Sequence, residues 1–138
     1  MEEIKSMNKI IDIIKSLPNL EKVGKVSDNK IKDAEIQLRL NFANEYRDYL
    51  AEFGSISSKD MELTGIISVE YCNVVSVTKQ EWELNPKVPH TMYVIENTCV
   101  DGIIIWQDTN GSIYQTTPNA EPLKIASSLE EYLLNRIK

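Results

Sequence analysis

The hydrophobic period of this 138-residue chain changes at Gly54, and that change constrains its fold more than any other feature. Up to Gly54 the apolar residues keep a helical beat. Ile4, Met7, Ile11, Ile14 and Leu17 recur at three- and four-residue steps, with Glu2, Lys5, Asp12 and Lys15 off that stripe. Pro18 ends this first helix, because it cannot donate a backbone hydrogen bond and disfavours helical geometry at Leu17. Ser27 or Asp28 caps a second helix, whose apolar face is Ile31, Ala34 or Ile36, and Leu38. A third runs from about Asn44 to Phe53, with Tyr46, Tyr49, Leu50 and Phe53 on one face and Gly54 as its stop.

Beyond Gly54 the residues favour strands. Leu63 to Ser68 predicts one, and Tyr93-Val94-Ile95 and Ile103-Ile104-Ile105-Trp106 predict two more, joined through a turn at Asp101-Gly102. Asn110-Gly111 predicts a type I′ hairpin leading into Ser112-Ile113-Tyr114-Gln115. Asn73 to Leu84 reads both ways: Val74, Val75 and Val77 favour a strand, while Thr78 to Leu84 favours a helix, which we expect for the second half. Ser127 or Ser128 caps a closing helix through Ile137, with Leu129, Leu133, Leu134 and Ile137 facing inwards. The expectation is a single α+β domain over residues 1–138, a mainly antiparallel twisted sheet packed against N-terminal helices and a closing C-terminal helix.

Charge is as unevenly spread as periodicity. Between Glu52 and Glu121 ten carboxylates face three lysines, a local net of −7, whereas residues 1–50 balance to zero. A concentrated negative field attracts basic partners and repels nucleic acid and anionic membrane; its bland alternative is a solvated surface. The acidic start Met1-Glu2-Glu3 argues against a signal peptide, and no apolar run has bilayer-spanning length. Two cysteines, Cys72 and Cys99, are too few for a disulfide framework. We expect a cytoplasmic protein, with a monomer favoured.

Catalytic residue types are scarce. His90 is the only histidine, and Cys72, His90 and Cys99 fit no structural zinc spacing, so neither metal nor cofactor is expected. Ser6-Met7-Asn8-Lys9 and Ser27-Asp28-Asn29 match two elements of penicillin-recognising enzymes, but the third element is missing. Asp101 and Asp108 flank one predicted strand and would form an acid–base pair only if they converged. Tyr93, Trp106 and Tyr114 lack the basic stripe of a nucleic-acid platform and read as core. The residues describe a binder, not an enzyme.

The order of these elements resembles the SUKH superfamily (the Smi/Knr group). Ala34-Glu35-x-x-Leu38, then Phe42 to Leu50 and Phe53-Gly54, is similar to that family's paired-helix signature. Leu63-Thr64-Gly65-Ile66 resembles its short glycine-containing strand, and Ser128-Leu129-Glu130-Glu131-Tyr132-Leu133 its closing helix. The resemblance covers roughly residues 27–137. Phe42-Ala43 stands where the family usually has Leu-Pro, and Leu129 where an aromatic is common. Glu35 reads as a cap or a pairing group between helices, and the glycines as structural.

The resemblance implies an immunity protein that binds and neutralises a cognate polymorphic toxin domain stoichiometrically, with a basic nuclease the best match to the acidic field. The alternative is a regulatory or scaffolding interaction module without a toxin. The expected contact residues are Glu62, Glu70, Glu81, Trp82, Glu83, Glu96, Asp101 and Asp108. Trp82 is an aromatic anchor within a charged rim or, equally, a core side chain.

Overall fold

The computed structural model describes residues 2–59 and 61–137, with side chains from Lys9 onward. The side chains of Ile4 and Met7, and Asp60 altogether, lie outside the described residues. Among the described residues five helices pack with seven strands, and the strands form two antiparallel sheets. The first, of order β1-β2-β3, joins β1 (Glu21–Lys22), β2 (Ile56–Ser58) and β3 (Met61–Leu63). The second runs β4-β5-β6-β7 through Met92–Asn97, Ile104–Asp108, Ile113–Thr116 and Leu123–Ala126. The expected α+β class is therefore observed, with its sheet divided in two.

Helix α1 (Glu2–Lys15) turns Ile10 and Ile14 fully inwards and half-buries Ile11, and Leu17 is buried just past its end. In α2 (Asp28–Leu38) the Ser27 hydroxyl accepts from Lys30 N–H and caps the helix. Its buried face is Ile31, Ala34 and Leu38, whereas Ile36 stands 72% exposed. Helix α3 (Asn44–Phe53) buries Tyr46, Tyr49, Leu50 and Phe53 and ends at Gly54 with φ 75°, as its periodicity predicts. Gly65 carries a different constraint: an added Cβ would lie 1.9 Å from the Gly54 carbonyl oxygen, so only glycine lets these backbones meet.

The second sheet is covered on both faces. Tyr93, Ile95, Ile105 and Ile113 join the main core beneath the helices α1, α2 and α3. Val94, Ile104 and Trp106 form a second cluster with Val77 of α4 (Val74–Leu84). Strands buried on both sides read as continuous apolar runs, which is why alternation is absent from Ile103 to Trp106. The indole N–H of Trp106 donates to Thr116 Oγ1 at 2.9 Å, satisfying its one polar atom.

Four expectations are corrected. Val74 and Val75 belong to α4 from its first turn rather than to a strand, because the Asn73 side chain caps it by accepting from Val75 and Ser76 N–H at 2.9 and 3.2 Å. The Asn110-Gly111 loop is not type I′: only Gly111 has positive φ (97°), and Gly111 N–H closes a turn onto the Asp108 carbonyl. Asp108 Oδ1 accepts from both Asn110 and Ser112 N–H, fixing a wider loop with the glycine after the turn. In α5 (Leu129–Arg136) Tyr132 is buried with Leu129 and Leu133, while Leu134 and Ile137 stay 40% and 46% exposed. Finally, β3 stops at Leu63, where Thr64 N–H leaves its own sheet and donates to the Ile95 carbonyl at 2.9 Å.

Candidate protein-interaction surface

The acidic side chains expected to share one surface fall into three environments. Glu96 is the first correction: it is 2% exposed, and its carboxylate accepts from Arg136 at 2.7 Å and from the Tyr132 hydroxyl. A bulge between Val94 and Glu96 shifts the β4 register and helps turn this residue inwards. Asp108 is the second, with both oxygens occupied by its own hairpin, Oδ2 accepting from Tyr114 at 3.1 Å. Asp101 is exposed in the β4–β5 turn, at the opposite end of β5 from Asp108. The two aspartates do not converge, and the acid–base pair has no geometry.

Glu62, Glu70 and Glu83 are exposed and Glu81 is half-buried, at the two ends of α4. That helix of eleven residues spans about 16 Å. None of the four has an ion-pair partner among the described residues. Trp82 is neither core nor a free anchor. Its indole N–H donates to the Met92 carbonyl at 3.1 Å, and its ring stacks on His90 at 4.1 Å between centroids.

At the N-terminal end of α4 a cleft of about 190 Å³ lies between the first sheet and the 3₁₀ turn Glu70–Cys72. It is lined by Val23, Val69 and Tyr71, which are 55%, 41% and 70% exposed. Glu21 and Glu62 line it as well, and Lys22 is its one cation among the described residues. The Glu62 charge pushes the Tyr71 phenol up. Burial raises the Cys72 thiol to about 11, so it stays protonated at neutral pH and is a poor nucleophile. The turn is held rigidly: Asn73 Nδ2 donates to the Ile67 carbonyl at 2.8 Å, and Gly65 bridges to Asn73. Three exposed apolar side chains around one cleft, with carboxylates at its edge, have the composition of a recognition patch.

Val23, Val69 and Tyr71 are the residues that sequence reasoning missed. Neither periodicity nor motif singles them out, because Val23 precedes the second helix and Val69-Glu70-Tyr71 sits in an irregular segment. Their one signal is an aromatic flanked by Glu70 outside any apolar stripe. Among the described residues no group of three or more His, Cys, Asp or Glu could hold a metal ion, and no helix is long and apolar enough to cross a membrane.

Comparison with known proteins bears on the family. The fold is similar to the crystal structure of a protein from Pseudomonas syringae pv. tomato, with a TM-score of 0.72 at 14% identity, covering 93% of this chain and 96% of that one. At that identity the likeness shows the fold alone. No curated protein matches the sequence. Residues 7–138 match the SUKH_5 family, described as SMI1-KNR4 cell-wall, over nearly the whole chain, so the protein belongs to that family.

Proposed function

We propose that this protein is an immunity protein, binding a cognate toxin domain through the face that runs from the Tyr71 cleft along α4. Family membership supports this reading, since the SUKH resemblance implies toxin neutralisation. The observation that carries the surface is the exposed Val23–Val69–Tyr71 patch beside Glu21, Glu62 and Glu70. A large aromatic in a partly apolar cleft supplies binding energy, while surrounding carboxylates steer a basic partner and speed its association. A nuclease fits this field, because domains that hold phosphate backbones present positive surfaces.

Co-expression tests the reading. A toxin domain encoded beside this gene would be induced with and without the chain, followed by co-purification. The wild type restores growth and co-purifies as a salt-sensitive complex. Tyr71→Ala keeps its thermal midpoint and loses binding by at least about thirtyfold, the ~2 kcal/mol of a hot-spot residue. A folded wild type that neither rescues nor co-purifies would move the toxin-free scaffold to first place.

A further inference from the structure

A second cleft, of about 320 Å³, opens at the opposite end of α4, between the last turn of that helix and the loops at one end of the four-stranded sheet. Leu84, Ile104 and Pro118 give it apolar walls, and Glu81 is its only charged lining residue among those described. Glu81 is half-buried, yet its carboxylate has no hydrogen-bond or ion-pair partner among the described residues. Burial, with no compensating contact, raises its pKa. The helix adds to this imbalance. Its last turn contains no basic residue to offset the negative end of the α4 dipole.

The cleft is preformed. Asn85 Nδ2 donates to the Ala120 carbonyl at 2.9 Å and ties the 117–120 loop to the end of the helix. Gly102, at φ 70°, lets Pro118 pack so closely that an added Cβ would lie 2.8 Å from its Cγ. A half-buried carboxylate in a partly apolar cleft beside a helix C-terminus is complementary to a cation on an alkyl stem. A cationic side chain would place its head at the charge and its methylenes along the walls.

We propose that this cleft receives one lysine or arginine side chain of the protein partner, its head against Glu81 and its stem against Leu84, Ile104 and Pro118. The inference rests on the interaction reading above and adds a second anchor point, one α4 length from Tyr71. The test starts without the partner. Amide chemical shifts of the full chain are followed during titration with n-butylguanidinium and with its neutral analogue n-butylurea. The guanidinium moves Leu84, Gly102 and Asn119, and binds at least about fivefold more weakly to Glu81→Gln, the factor one modest ion pair supplies. Equal binding of the two probes, an unaltered Glu81→Gln titration, or shifts centred on Tyr71 would each overturn the proposal. Growth rescue separates the two readings. Wild-type rescue with undiminished toxin affinity in Glu81→Gln sinks the cleft proposal and leaves immunity standing. A wild type that passes the titration but does not rescue sinks immunity and keeps the cationic socket.

Discussion

Two regions of this molecule use the same chemical group for opposite ends. On α2, α3 and β4, Glu35, Glu45 and Glu96 are all taken up by internal donors. Glu35 accepts from Phe42 N–H at 2.7 Å and from Arg47 at 2.8 Å, joining α2 to α3. Glu45 accepts from Leu129 and Glu130 N–H at 2.8 and 3.1 Å, fastening the start of α5 to α3. Glu96 holds Arg136 and Tyr132 of α5 against β4. Along the α4 face, Glu62, Glu70, Glu81 and Glu83 have no ion-pair partner among the described residues. The inner carboxylates join elements and the outer ones are available, so charge alone is a poor guide to interface residues; burial and partners decide.

The difference should appear first in stability. Arg136→Ala leaves Glu96 buried without its counter-ion and should cost about 3 kcal/mol in urea unfolding. A loss below about 1 kcal/mol would demote the pair to a surface bridge. Glu35→Ala strands the Phe42 amide and frees Arg47, with an expected cost of about 2 kcal/mol.

The third expectation concerns pH. Burial is the largest influence on Glu45 and raises its carboxyl above the ordinary 4.5, against the lowering effect of the Leu129 and Glu130 amides. The native state thus holds this proton more tightly than the unfolded chain. The Glu45 contribution is most favourable below pH 4.5 and declines as pH rises through its native value. Urea unfolding of wild type and Glu45→Gln across that range should show the wild-type advantage falling with pH. A difference that is flat with pH would mean that the native and unfolded values coincide.

The smallest effect is expected outside. Glu62→Lys with Glu83→Lys should change stability by no more than about 0.5 kcal/mol, while slowing association with a basic partner and flattening its salt dependence. Destabilisation comparable to Arg136→Ala would erase the distinction between the two regions.

The departure from the family's Leu-Pro is matched by a buried hydrogen-bond network between distant segments. Ala43 N–H donates to the Tyr93 hydroxyl at 2.9 Å, and Tyr93 passes its own hydrogen to Gln107 Oε1 at 2.6 Å. Proline at 43 would lack that amide hydrogen and leave the phenolic oxygen one donor short. Phe42 keeps the apolar contact, its ring meeting Tyr93 edge-on at 4.7 Å.

Much of the fold was legible because it is written in short-range terms. The α3 face, the Ser27 and Ser128 caps and the Gly54 stop depend on residues three or four apart, and each lies where periodicity and capping chemistry put it. Glu35 as a link between helices was legible too, since family resemblance and helix geometry agree on it. The short strands β1, β2 and β7 were not, because two to four residues carry no resolvable period. The turn at Asn110-Gly111 was misread because the Asp108 side chain, not the dipeptide, sets its type.

The sequence by itself determined the α+β class, the helical first third, the family and the concentration of negative charge in the middle of the chain. These follow from local spacing and from sums over residues. Only the tertiary structure decided which carboxylates are available. A register shift in β4 carries Glu96 inside to meet an arginine forty positions away, while α4 holds Glu62 and Glu70 apart from Glu81 and Glu83. Burial and pairing are relations between distant segments, and no local pattern along the chain encodes them.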